Sequence, residues 1–245
     1  MSVRKGHQYL NVFAALVARR VLFATQGKDG ATWAQFVEAL KKHHGHRHAI
    51  TPASMDMSAA CQSGVAGHCR HAQVVFDKFH VIKNAHEAVD KVRRAEGRLG
   101  GTGVGEALHQ SQWIWRKNPE NLSEQEQQHL SGIKDKNLCT AKAYPMRRVL
   151  QDIYRSADAR TARHRFQVWG RWVRWVARFH KGNVFVLMVK LAAMVGKHLA
   201  GRVAHWQWGV AHAFMEGLNT SSTIRRTSRR PSRTRSMETA SCPGS

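Results

Sequence analysis

Residues 75–83 have the sequence Val75-Phe76-Asp77-Lys78-Phe79-His80-Val81-Ile82-Lys83. The apolar run over residues 73–79 is typical of a strand, and the apolar spacing from 81 to 94 is typical of a helix. An acid therefore lies where a buried strand ends. The chain repeats this arrangement at Ser54-Met55-Asp56-Met57, near the end of a strand predicted over residues 49–57.

These strand-end acids are an unusual use of negative charge, because the chain has 16 Asp plus Glu against 39 Lys plus Arg. Burying a lone carboxylate costs several kcal/mol, and a bound cation is one way to offset that cost. A third acid, Glu216, lies in Met215-Glu216-Gly217-Leu218-Asn219, at the end of a helical pattern. A basic protein that directs Asp56, Asp77 and Glu216 to one place suggests metal-assisted phosphate chemistry.

The overall charge favours a polyanionic partner. The formal net charge is +23 over 245 residues, and Lys and Arg contacts to phosphates release counterions. The alternative is a cationic surface that serves solubility alone. The four cysteines have no paired spacing, which indicates a reducing compartment. No apolar run reaches the roughly 18 residues of a membrane span. We therefore expect a cytoplasmic protein that acts on DNA or RNA, without a membrane partner.

The first 80 residues are predicted to form an α/β unit in the order β-β-α-β-α-β. Thr32 is the predicted N-cap of the first helix, which buries one face and extends to Lys42. The strands are predicted at residues 9–17, 21–25, 49–57 and 73–79, and the helices at 32–42 and 59–71.

The next 120 residues are predicted to be helical. A glycine-rich mobile loop is expected from Leu99 to Gly105, and Ser123 with Glu126 has the pattern of a helix capping box. Helical patterns also cover residues 138–178 and 192–219. The segment 221–245 has almost no apolar residues, which predicts a disordered basic tail.

A basic block with interleaved aromatic residues covers the helix pattern at 138–178. Its tryptophans are predicted to be mainly core, because aromatic side chains at helical spacing usually pack inside. Its arginines are predicted to contact DNA phosphates. The DNA-binding candidates are Arg147, Arg148, Arg163, Arg171, Arg174 and Arg178.

Several of these stretches together resemble the DDE-type transposases of bacterial insertion sequences, in the group called ISL-three. The resemblance extends from about Arg4 to Asn219. It rests on the Asp56 and Asp77 stretches already quoted and on four further ones: Arg4-Lys5-Gly6-His7-Gln8-Tyr9, Ala88-Val89-Asp90-Lys91-Val92-Arg93-Arg94, Lys117-Asn118-Pro119-Glu120-Asn121-Leu122 and Glu216-Gly217-Leu218-Asn219.

The resemblance implies a ribonuclease-H-like core with a large all-helical insertion before the last catalytic acid. The expected units are the core at 1–80, the insertion at 81–201, a C-terminal core helix at 202–220 and the tail at 221–245. The family's first strand and first catalytic Asp precede the segment that matches Arg4–His7. The chain is therefore expected to be an N-terminally truncated fragment, with a frameshift near Thr220.

By the same resemblance, Asp56 and Glu216 are the catalytic acids and the ligands of Mg²⁺ or Mn²⁺. The implied reaction is cleavage and joining of DNA strands, between insertion-sequence ends and a target, by a homo-oligomer. Asp77 and His80 are implied accessory residues, and a purely structural hydrogen-bonded pair is an equal alternative.

Two functional hypotheses remain open at this point. The first is a DDE transposase fragment whose own activity is lost together with the first Asp. The second is a non-catalytic basic DNA-binding remnant of a mobile element.

Overall fold

The computed structural model describes residues 10–27, 30–109, 111–134, 138–180 and 184–209. The strands there are β1 (Leu10–Ala15), β2 (Arg20–Gln26), β3 (Pro52–Met55) and β4 (Gln73–Phe76). The helices are α1 (Ala31–Lys42), α2 (Ala59–His68), α3 (Lys78–Leu99), α4 (Gly101–Leu108), α5 (Glu124–Lys134), α6 (Cys139–Ile153), α7 (Ala159–Arg178), α8 (Val186–Lys197) and α9 (Leu199–Trp208). The first seven elements, up to β4 and α3, follow the predicted order.

The strands form two separate pairs. β1 and β2 are an antiparallel hairpin, with Leu10 opposite Gln26 and Ala15 opposite Arg20. β3 and β4 are parallel and are joined through α2, with Met55 opposite Phe76. Within the described residues no strand hydrogen-bonds to both pairs. The structure is therefore α/β with two small sheets.

Both strand pairs pack on the same helices. Trp33 and Phe36 of α1 are buried together with Ala53 of β3, and Phe13 of β1 packs against this cluster. The Phe13 ring stacks on Phe36 with centroids 4.3 Å apart. Apolar burial of this kind contributes about 25 cal/mol per Å². One small core therefore holds the hairpin and the parallel pair side by side.

Several predicted boundaries are wrong. Thr32 is not the N-cap of α1; Gly30 is, and the Thr32 hydroxyl instead accepts a 2.8 Å hydrogen bond from the Asn11 side chain. β4 ends at Phe76 rather than at residue 79, because Asp77 caps the following helix. β3 is similarly shorter than predicted and ends at Met55.

The predicted glycine-rich loop at Leu99–Gly105 is also wrong, because residues 101–108 form α4. The glycines serve a close helix contact: a Cβ at Gly105 would lie 3.3 Å from the Gly97 carbonyl oxygen. Because glycine has no side chain, α3 and α4 can approach each other closely at Gly97 and Gly105. The glycine content therefore reflects packing, and a loop prediction based on composition fails.

The helical part has its own large core. It is built mainly by α3, α6, α7 and α8, and its fully buried side chains include Val89, Leu150, Trp169 and Met188. The predicted helix at 138–178 is two helices, since Asp158 caps α7 with a 2.9 Å hydrogen bond from the Thr161 amide. The capping box at Ser123 and Glu126 is confirmed by reciprocal hydrogen bonds.

Helix α9 connects the helical part to the strands. A Cβ on Gly201 would lie 2.7 Å from the Phe76 ring, so the glycine permits α9 to lie directly on β4. α9 crosses the predicted unit boundary between residues 201 and 202, and Val203 belongs to the large helical core. The other predicted boundaries between the units, at residues 80 and 220, remain predictions. No helix in the described ranges is long and apolar enough to cross a membrane.

Candidate active site at the ends of the parallel strands

Two of the predicted site acids meet at one edge of the β3–β4 pair. Asp56 directly follows β3 and Asp77 directly follows β4, and the last residues of the two strands are register partners. The Asp77 amide also donates to the Met55 carbonyl at 3.0 Å. Since parallel strands end at the same edge, the two carboxylates lie on neighbouring positions there.

Each acid also turns its chain from strand into helix. An Asp56 carboxylate oxygen accepts a 2.9 Å hydrogen bond from the Ser58 amide, and Ser58 caps α2. The Asp77 carboxylate accepts from the Phe79 amide, also at 2.9 Å, at the start of α3. Short polar side chains favour such turns because they replace missing helical hydrogen bonds. The local fold thus fixes both carboxylates in place.

His80 lies one helical turn into α3 and faces Asp77. Its Nδ1 is 3.0 Å from the second Asp77 carboxylate oxygen, and the His80 side chain is 43% exposed while that of Asp77 is 14% exposed. The hydrogen bond that His80 donates to Asp77 raises the pKa of His80, burial opposes this, and the Asp77 and Asp56 charges add to the increase. The imidazole therefore keeps its proton to higher pH than a free histidine does.

We predict that Asp77→Asn lowers the pKa of His80 more than Asp56→Asn does, because Asp77 provides both the hydrogen bond and the nearer charge. Asparagine also caps helices well, so α3 remains formed. His80 stabilises the fold most below its ordinary pKa of about 6.5, and this stabilisation disappears as pH rises through the raised value. NMR titration of the imidazole measures the shift; equal effects of the two variants would contradict the prediction.

Arg202 is a buried cation behind this edge that the sequence patterns do not reveal. It lies on α9 and is fully buried, and its Nη2 is 2.8 Å from the sulfur of Met57, the residue after Asp56. Burial lowers the pKa of Arg202. Burial likewise raises the pKa of the nearby Tyr154 hydroxyl, Arg202 opposes this increase, and the Asp77 charge adds to it. The packing of α9 against β4 places this guanidinium against Met57, the residue after Asp56.

The donor chemistry of the edge fits a hard divalent cation in part. Mg²⁺ is commonly held by one or two carboxylates plus waters and substrate phosphates. Asp56 and Asp77 are carboxylates at one edge, although no group of three or more His, Cys, Asp or Glu within the described ranges is arranged as a complete metal site. Glu216, the other predicted ligand, lies outside the described residues, as do Arg4–His7 and the predicted tail at 221–245.

The predicted DNA-contacting arginines divide by position. Arg147 is only 1% exposed and its guanidinium donates to the Lys117 carbonyl, the Asn118 side chain and the Gln151 side chain, at 2.9–3.1 Å. A guanidinium buried to this extent cannot reach a phosphate of bound DNA, so Arg147 is removed from the candidate interface. Arg148 is half-buried, and the exposed members of the set lie on α7: Arg163, Arg171, Arg174 and Arg178.

The tryptophans of this block divide as well, and the expectation that they are core is correct for only some of them. Trp169 is buried and donates to the Met146 carbonyl at 2.8 Å. Trp172 is half-buried. Trp175 is 58% exposed and Phe179 is 67% exposed. The last two turns of α7 therefore present aromatic rings to solvent.

Comparison with known proteins gives a consistent result. A family model described as a transposase, that of the DDE-type ISL3 group, matches residues 1–233. This match extends beyond Thr220, where a frameshift is predicted; the frameshift remains a prediction.

The transposase for insertion sequence element IS1001 of Bordetella parapertussis is 26% identical over 229 residues, which cover 91% of this chain and 53% of the relative. The transposase for insertion sequence element IS1557 of Mycobacterium tuberculosis (strain CDC 1551 / Oshkosh) is 26% identical over 243 residues, with 90% of this chain and 52% of the relative covered. The chain thus spans about half the length of these curated relatives. No solved structure matches it.

The family match covers nearly the whole chain, and it includes the two strand-end acids together with the helical part that follows them. This protein belongs to the DDE-type ISL3 family of insertion-sequence transposases.

Proposed function

We propose that this chain forms part of the active site of a DNA transposase that cleaves and joins DNA strands with Mg²⁺ or Mn²⁺. The observation that carries the proposal is the position of Asp56 beside Asp77 and His80 at the carboxyl ends of parallel strands. In this proposal the strands belong to a ribonuclease-H-like core and residues 81–201 are its helical insertion. The order of the elements and the long helical part support it.

The proposed ligands are Asp56 and Glu216, each through carboxylate oxygen. A divalent ion at such a site activates a water or a 3′-hydroxyl and stabilises the leaving oxygen. The chain's own residues have definable tasks. Asp56 is oriented by its hydrogen bond from the Ser58 amide. Asp77 holds the ring of His80 through Nδ1, which leaves Nε2 free to donate toward a phosphate oxygen.

The raised pKa of His80 supports this task, because a protonated ring donates from both nitrogens and carries a charge opposite to that of phosphate. The exposed arginines of α7 are the proposed contacts to the DNA backbone, since Arg and Lys neutralise phosphates without reading sequence. The proposed partners are insertion-sequence ends and target DNA, and the proposed assembly is a homo-oligomer in the bacterial cytoplasm at the nucleoid.

A second candidate is a non-catalytic DNA-binding remnant. It is favoured by the small number of carboxylates at the described edge, where Asp56 and Asp77 alone do not complete a metal site. Under this alternative the chain binds DNA through its arginines and performs no strand cleavage. Metal binding at Asp56 distinguishes the two candidates.

We predict that Asp56→Asn and Glu216→Gln each weaken Mn²⁺ binding about tenfold or more, which corresponds to about 1.4 kcal/mol, because each removes a charged oxygen ligand. Isothermal calorimetry on the whole chain measures the affinity. Asp152→Asn is the matched control, since it removes an equal charge from an exposed carboxylate that pairs with Arg155.

Unchanged Mn²⁺ affinity in Asp56→Asn would contradict the proposed ligand role. Salt-sensitive DNA binding by a wild-type chain that binds no Mn²⁺ would instead support the non-catalytic remnant.

A further inference from the structure

An aromatic groove lies between α6 and α7, far along the chain from the strand-end acids. It is open to solvent, has a volume of about 440 Å³ and is lined by residues of both helices. Trp172, Trp175 and Phe179 form its aromatic wall, and Pro145 and Met146 belong to the opposite one. The Trp175 and Phe179 rings meet edge to face at 5.0 Å. Its lining is mainly apolar.

Two of the three aromatic rings of the groove are exposed, although large apolar side chains normally pack inside. Trp175 and Phe179 are 58% and 67% exposed, on the same helix whose Trp169 is 1% exposed. Leaving two neighbouring rings in water forgoes about 1.5–3 kcal/mol of burial for each large apolar side chain. Exposed aromatic clusters with a polar surround usually mark a binding surface.

Positive charge surrounds this groove. Arg171 and Arg178 stand four positions before and three positions after Trp175 on α7, so they are its neighbours on the helix surface, and both are exposed. Helix α7 contains no Asp or Glu between Ala159 and Arg178. A second copy of this chain, at a formal net charge of +23, is a poor occupant for such a surface.

A polar pair completes the groove lining. The Lys142 ammonium lies 2.9 Å from His180 Nε2, and His180 Nδ1 is 2.8 Å from the Val176 carbonyl. With Nδ1 donating to that carbonyl, Nε2 accepts from Lys142. An ammonium has three donors, so Lys142 retains hydrogen-bonding capacity toward a ligand in the groove.

We infer that this groove binds an unpaired nucleobase of DNA, stacked on the ring of Trp175, while the neighbouring arginines hold the adjoining phosphates. Aromatic rings beside arginines are the combination that binds unstacked bases, because every base has a stacking face and every nucleotide has a phosphate. Lys142 supplies a donor to the base edge. The inference rests on the proposed function for its DNA partner and for the α7 arginines, but the base-binding groove is separate from the strand-end acids.

The test compares two DNA duplexes that differ in one bulged thymine, with binding of the whole chain followed by fluorescence anisotropy in EDTA. We predict that Trp175→Ala weakens binding to the bulged duplex by about 5- to 150-fold, because the variant loses the stacking of one base on an aromatic ring. Binding to the fully paired duplex changes by less than about twofold, because the phosphate contacts remain. Trp175→Phe, which retains a ring, restores most of the affinity for the bulge.

Trp113→Ala is the matched control. Trp113 is 57% exposed and has the Arg116 guanidinium 4.9 Å from its ring centre, so it shares the chemistry of Trp175 without the groove. Equal losses in the two variants, or equal losses on both duplexes, would overturn the inference. A change in sedimentation of Trp175→Ala with unchanged bulge affinity would also overturn it and would identify a second copy as the occupant.

The result separates this inference from the proposed function. EDTA removes any metal contribution, so a failure at Asp56 leaves the comparison of the two duplexes intact. If the wild-type chain binds both duplexes equally well, only the base-binding groove is refuted. If it binds neither duplex, both the groove and the proposed DNA partner fail.

Discussion

Arg147→Met is expected to lower the free energy of unfolding by about 2–4 kcal/mol, because buried hydrogen-bonding groups that lose their partner cost about 1–3 kcal/mol each. The Arg147 guanidinium donates to the Lys117 carbonyl, to Asn118 and to Gln151 from a fully buried position. Methionine retains much of the volume but none of these donors. Denaturant unfolding of both chains measures the difference.

Arg148→Met is the matched control, since Arg148 is the neighbouring arginine on α6 and is only half-buried. It is expected to change the free energy of unfolding by less than about 0.5 kcal/mol, as most surface substitutions do. A similar loss in both variants would show that α6 tolerates no substitution here, and the buried hydrogen bonds would then not explain the effect.

Glu96→Ala is expected to lower the free energy of unfolding by about 2–4 kcal/mol. The buried Glu96 carboxylate accepts hydrogen bonds from the first backbone amides of another helix, and these amides lose their partner in the variant. Glu96 of α3 accepts hydrogen bonds from the Cys139 and Thr140 amides and from the Thr140 hydroxyl. The residue at the N-cap of α6, Leu138, has no side chain able to do this. Thermal or denaturant unfolding measures the loss.

Glu106→Ala is a suitable comparison for Glu96→Ala, because Glu106 is an exposed acid on α4. It should leave stability within about 0.5 kcal/mol of wild type. Glu96→Gln should fall between the two, since the amide keeps one acceptor oxygen but loses the charge that favours a helix N-terminus. If Glu96→Ala is as stable as wild type, the long-range cap is not important for folding.

Some parts of this fold follow from local sequence. The capping box at Ser123 and the apolar face of α1 are set by residues within a few positions of one another. The two strand-end acids are predictable for the same reason, because each lies between an apolar run and a helix, but both strands end just before the acid and not beyond it as predicted.

Other parts depend on distant partners, and sequence patterns could not reveal them. Arg147 stands in a basic block, where sequence alone does not distinguish it from the other arginines. It is buried because its guanidinium donates to the Lys117 carbonyl and to the Asn118 side chain. The glycines of α4 resemble a loop until α3 packs against them. Arg202 reaches Met57 because Gly201 lets α9 lie on β4. In each case the deciding contact joins different elements of the fold.

Some of the stretches that resemble the family contain packing residues, and others contain candidate site residues. Lys117-Asn118 anchors the buried guanidinium of Arg147, and Asp90 pairs with Arg93 at 2.8 Å on α3. Both are therefore packing features of the helical part. Asp56, Asp77 and His80 are different, because they lie at the ends of the parallel strands. Each Asp uses one carboxylate oxygen for its local turn, and the second oxygen of Asp77 contacts His80.

The most direct test of the central claim, that Asp56 binds a divalent cation beside Asp77 and His80, is Mn²⁺-induced broadening of the His80 ring resonances in NMR spectra of the whole chain. Paramagnetic Mn²⁺ bound at this edge broadens His80 selectively at low metal concentration. The account predicts that the broadening occurs in wild type and in Asp152→Asn and is lost in Asp56→Asn. Unbroadened His80 signals in wild type at Mn²⁺ concentrations that saturate binding, or equal broadening in Asp56→Asn, would contradict it.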